Sequence, residues 1–92
     1  MRTVEIEDQE YTIDYSARAW RIARDEFGIT FTIKKLQDFN EMDFVDIADF
    51  MLVGLARHQP DLDVEAFESS FGLGDMEDIV QPFIEEFQAG KE

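Results

Sequence analysis

The first fourteen residues alternate between apolar and polar. Val4 and Ile6 fall on one face of an extended segment and Tyr11 and Ile13 on one face of the next, so residues 3–14 predict a β-hairpin turning near Asp8 and Gln9. No Gly marks the turn, and its type stays open, although Asp tolerates the left-handed conformation better than most residues. A lone hairpin is marginal in water and must lie on the rest of the chain. Beyond it the apolar period changes from two to 3.6. Ser16 in the N-cap place and Gly28 as a stop bracket a helix over residues 17–27, with Tyr15 and Trp20 at the two positions of a hydrophobic staple. A short helix over 33–38 follows, in a stretch (Thr30, Phe31, Thr32, Ile33) that would also suit an extended chain.

The strongest periodicity lies in the middle. Phe44, Ile47, Ala48, Met51, Leu52 and Leu55 form one stripe of a helix over 41–58, with Asn40 as N-cap and Phe39 and Phe44 placed for a staple. Its opposite face begins with Asp43, Asp46 and Asp49 but turns apolar at Phe50 and Val53. The second half is therefore apolar almost all round, which suits either the centre of a core or a face half covered by a partner. Asp63 caps a shorter helix over 64–71, Gly72 and Gly74 interrupt the chain, and Asp75 opens a last helix over 75–88. That helix repeats the six-point stripe with Met76, Ile79, Val80, Phe83, Ile84 and Phe87. Pro82 lies inside it, removing a backbone donor at a cost of ~3 kcal/mol unless the helix bends. Residues 88–92 are expected to fray. These elements predict one domain over 1–92, mainly α with a small N-terminal β-hairpin (α+β), the hairpin packed on a bundle of four to five short helices.

Composition narrows the class. With 45% hydrophobic residues and nine Phe in 92, the chain has enough apolar material to fold despite a net charge of −14. Absence of cysteine excludes disulfides and thiolate chemistry and fits a reducing compartment. The opening segment MRTVEIEDQE has no apolar signal core, and the longest apolar run, residues 50–56, is too short to span a bilayer, so a soluble cytoplasmic protein is expected. The charge is also polarised. Residues 1–37 carry six basic and seven acidic side chains, whereas 38–92 carry two basic and fifteen acidic, a net of −13. Such a field repels nucleic acid and anionic lipid and favours basic partners.

Candidate chemistry is sparse. The only histidine, His58, sits at the end of the third helix beside Pro60, where a solvent-side role favoured by the helix dipole explains it. Asp61, Asp63 and Glu65 have the spacing of the first ligands of a calcium loop, but Ala66 stands where Gly is needed and Gly72 where Glu is needed. No phosphate-binding Gly motif is present. Arg18, Arg21 and Arg24 make one basic stripe, expected to bridge to the protein's own carboxylates. No cofactor or metal is expected, and the chain reads as a non-enzymatic binding domain. Apolar side chains that the core need not fully cover are the candidate partner contacts: Trp20, Phe27, Phe50, Val53, Phe71, Phe83 and Phe87.

The order of features resembles a known family. An N-terminal hairpin is followed by a helix ending in Arg24, Asp25, Glu26, Phe27, Gly28 and Ile29. Next come an apolar helix finishing on Leu52, Gly54, Leu55, Pro60 and Leu62, a short acidic helix and an amphipathic last one. This order is similar to that of the tail assembly chaperones of long-tailed bacteriophages, over nearly the whole chain, on order and spacing rather than on any chemically diagnostic residue. The resemblance implies a protein of the host bacterial cytoplasm that coats and solubilises the tape measure protein, presents it for polymerisation of the tail tube protein, and is absent from the finished virion. Self-association is compatible with exposed aromatic residues. A different class, an acidic DNA-mimic inhibitor whose carboxylates imitate phosphates against a basic nucleic-acid-binding protein, remains the alternative.

Overall fold

A computed structural model describes residues 2–89. Two antiparallel strands, β1 (Arg2–Ile6) and β2 (Gln9–Ile13), precede five helices: α1 (Ala17–Phe27), α2 (Ile33–Gln37), α3 (Phe44–Leu55), α4 (Val64–Ser69) and α5 (Leu73–Ala89). A single 3-10 turn, Phe39–Glu41, links α2 to α3. The α+β architecture expected from the apolar periods is the one observed.

The hairpin pairs Val4 with Tyr11 and Ile6 with Gln9, which sets Val4, Ile6, Tyr11 and Ile13 on one face and turns that face onto the helices. Its turn is made by Glu7 and Asp8, one residue earlier than expected. Both have positive φ, 50° and 66°, the left-handed pair of a two-residue turn that matches strand twist. Beyond β2, Ser16 caps α1 by accepting from the Ala19 N–H, and the Tyr15 and Trp20 rings meet 5.8 Å apart as the staple requires. Gly28 ends the helix in the left-handed region at φ 68°, its N–H reaching the Ala23 and Arg24 carbonyls.

α3 starts three residues later than its periodicity predicts. Asn40 lies within the 3-10 turn, which Asp38 caps, and Met42 is extended. Asp43 is the true N-cap. It accepts from the Asp46 N–H at 2.8 Å, while the Asp46 carboxylate accepts from the Asp43 N–H at 3.3 Å, a closed capping box. The helix also stops at Leu55, and residues 56–58 form a tightening turn that begins with the Ala56 N–H on the Val53 carbonyl. Asp63 caps α4 as expected, accepting from the Ala66 N–H at 3.0 Å. α5 begins two residues before Asp75, takes in Gly74, and continues through Pro82 to Ala89. Gln88 and Ala89 are thus helical, and the rest of the segment expected to fray, residues 90–92, lies outside the described residues.

α3 is the axis of the molecule. It packs against α1, α5 and β2, and every residue from Phe50 to Ala56 is buried. The two readings of its all-round apolar half are thereby decided in favour of the core. Phe50 stacks on Tyr15 at 4.8 Å and meets Phe31, Phe39 and Phe87 edge to face, so Tyr15, Trp20, Phe31, Phe39, Phe50 and Phe87 form one aromatic cluster. Gly54 lets this cluster close. A Cβ there would stand 2.7 Å from the Tyr15 ring, whose hydroxyl donates to the Phe50 carbonyl at 2.7 Å. The Gly54 carbonyl in turn accepts from the Asp14 N–H, tying the end of the hairpin to α3.

Candidate partner-binding surface

A docking side chain must be reachable from solvent, and burial sorts the candidates on that test. Phe50, Val53 and Phe83 are fully buried and Phe87 is nearly so, all within the central core. These four are corrected to core residues: the apolar faces of α3 and α5 meet each other and the aromatic cluster, which leaves no open side. Trp20, Phe27 and Phe71 are half-buried against the core. Trp20 packs edge to face on Phe31 and Phe87, and Phe71 on Phe67.

The exposed large apolar side chains among the described residues are different ones. Phe44 is 56% exposed, Val45 68% and Ile33 73%. Phe44 and Val45 are the first two residues of α3. They lie in its opening turn, directly after the Asp43 cap. Together with Ala48, Phe71 and the buried Met76 they line an open groove of about 270 Å³ between the start of α3 and the junction of α4 with α5.

Carboxylates edge this groove. Glu68 lines it, and Asp49 stands one helical turn after Val45 on α3. Partial burial raises the Asp49 carboxyl above its ordinary value, with Glu68, Asp46 and Asp43 adding repulsion. Neither Asp49 nor Glu68 forms an ion pair among the described residues. Asp46 is held differently. Lys35 Nζ lies 2.8 Å from its carboxylate, and that bond, outweighing desolvation with help from the Asp43 N–H, holds Asp46 below the ordinary value. Asp43 and Asp46 therefore serve the helix start, and Asp49 and Glu68 are the carboxylates beside the groove without a cation among the described residues.

A larger groove, about 530 Å³, opens between the hairpin turn, residues 59–63 and α4, over Tyr11 and Phe67, with Glu7, Glu10, Asp61 and Asp63 around it. Gln59 closes part of the strand edge there, donating to the Thr12 carbonyl at 3.0 Å and accepting from the Thr12 N–H at 2.7 Å. No cluster of three or more metal-ligating side chains occurs among the described residues.

His58 is engaged rather than free on the solvent side. Its Nε2 lies 3.1 Å from Asp14 Oδ2, which also accepts from Arg57 Nη1 at 2.9 Å, while Asp14 Oδ1 accepts from the Ser16 N–H at 2.8 Å. Burial pushes the Asp14 carboxyl up, but the hydrogen bonds from Ser16, His58 and Arg57 outweigh it and hold it below the ordinary value. This network pins the hairpin exit, the cap of α1 and the turn after α3 to one another. Of the arginine stripe, Arg24 pairs with Asp25 at 3.1 Å, and Arg18 and Arg21 make no ion pair among the described residues. Arg21 and Arg24 instead flank Trp20 and Phe31 in a shallow groove of about 300 Å³.

No helix among the described residues is long and apolar enough to cross a membrane. Comparison with protein-family models, with curated proteins and with solved structures finds no match to this chain.

Proposed function

We propose that this chain is a non-enzymatic assembly chaperone of a long-tailed bacteriophage. It binds the tape measure protein in the cytoplasm of the host bacterium, keeps it soluble while the tail tube polymerises, and leaves before the particle is complete. The observation that carries this reading is the groove headed by Phe44 and Val45, an open apolar surface on a body of net charge −14. Such a body stays dispersed through charge repulsion while it offers apolar contacts, which is what holding an aggregation-prone client requires. The sequence order adds the identity of the client through its resemblance to tail assembly chaperones. The placement of His58 on Asp14, which already accepts from Ser16 and Arg57, supports a structural role for the one imidazole.

The test follows the protein through assembly. In lysates of producing cells, antibody against this chain should capture the tape measure protein, and mass spectrometry of purified tails should find the tape measure protein without this chain. Stoichiometric retention in finished tails would instead make it a structural subunit.

A further inference from the structure

We infer that the groove between the start of α3 and the α4–α5 junction receives a cationic amphipathic helix of the client, seating an apolar side chain against Phe44, Val45 and Phe71 and setting Lys or Arg against Asp49 and Glu68. The inference rests on the client-binding reading and names the surface and the chemistry that would satisfy it. Geometry and charge carry it together. Phe44 and Val45 are large apolar side chains left more than half exposed, above a floor of Ala48 and Met76 that is already dry. Covering them removes apolar surface from water without displacing any contact the protein makes for itself.

The carboxylates beside the groove specify the sign of the partner. Asp49 and Glu68 repel each other and form no ion pair among the described residues, so a cation placed between them relieves an existing repulsion. Val45 and Asp49 are one turn apart on α3. The complementary spacing on a partner is an apolar residue and a Lys or Arg one turn apart, which one face of a helix supplies. A second copy of this chain is the poorer occupant, because it would bring a further −14 to a surface that is already acidic.

The probe is a short synthetic Leu/Lys amphipathic helix, compared by calorimetry at physiological salt with a scrambled peptide of the same composition and with a Leu/Glu counterpart. The amphipathic cationic peptide should bind, and the scrambled one about tenfold more weakly, since it cannot present both features on one face. Val45→Asp is decisive, because it removes apolar surface while adding negative charge: docking predicts a loss of about tenfold or more. Simple attraction to an acidic protein predicts equal or tighter binding, and that result overturns the proposal. Ile33→Asp, exposed but outside the groove, should leave affinity unchanged, and Glu68→Lys on the rim gives a second reading through loss of binding. If sedimentation shows wild-type dimers that Val45→Asp converts to monomers, the groove belongs to a second copy and the inference fails. Failure here is separable from failure of the chaperone reading. A Val45→Asp chain that solubilises the tape measure protein as well as wild type sinks the groove alone, whereas a wild-type chain that never solubilises it sinks the function.

Discussion

Asp14 ties the hairpin exit to the cap of α1 and to the turn after α3. It is buried, yet its carboxylate accepts from Ser16, Arg57 and His58, so it stays charged inside the fold. Its folded-state pKa is depressed, so the stabilisation it contributes is complete above the unfolded value of about 3.9 and is lost as pH falls through the folded value. Asp14→Asn should therefore lower stability at neutral pH by roughly 1.5–3 kcal/mol, the range for hydrogen bonds to charged groups. The difference from wild type should shrink as acid protonates Asp14, which urea melts from pH 7 down to pH 3 would measure. None of this network was legible from the sequence. His58 reads as a helix-end histidine because its partner lies 44 positions away, and spacing rules see only one element at a time.

Within elements the sequence spoke more clearly, and its errors were local. Periodicity located all five helices and the hairpin, but Asn40 and Asp43 are both competent caps, and the choice between them depended on the 3-10 turn that absorbs Phe39–Glu41. Asp43→Ala should cost about 1 kcal/mol through loss of the capping box, while Asn40→Ala should be close to neutral; thermal melts of the two variants separate the alternatives. Phe44 and Val45 open the helix that Asp43 caps, and both stay more than half exposed. Gly54 poses the opposite puzzle, a glycine at a helix position where alanine would ordinarily gain up to about 1 kcal/mol. Here the Tyr15 ring occupies the place of the Cβ and is fixed by its own hydrogen bond to Phe50. Overpacking should win, so Gly54→Ala is expected to destabilise by about 1–2 kcal/mol net. Adding Tyr15→Ala to that background should cost less than it does in wild type, the coupling expected of residues in contact.

At the scale of the molecule, nine Phe in 92 residues suggested surplus aromatic surface, and the fold uses much of it internally. Phe50, Phe83 and Phe87 were candidate contacts because they lie on strongly apolar helices; they are buried because those helices cross at the centre of the domain. Which apolar face is covered is a tertiary property, and periodicity reports only that a face exists. Phe87→Ala, which removes a ring that meets Tyr15, Trp20, Phe39 and Phe50, should cost about 3–5 kcal/mol, and the emission of Trp20, packed edge to face on Phe87, should report the loss. Acidity, by contrast, was plain from composition, and its division between structural carboxylates at the α3 cap and unpaired ones beside the groove turns net charge into a preference for a cationic partner.

The central claim, that this acidic domain holds an aggregation-prone tape measure protein in solution, is tested most directly by the soluble fraction of that protein when the two are co-expressed. A rise in soluble client that tracks the amount of this chain, with both recovered in one complex, is the predicted result. A client equally insoluble with and without it would contradict the account.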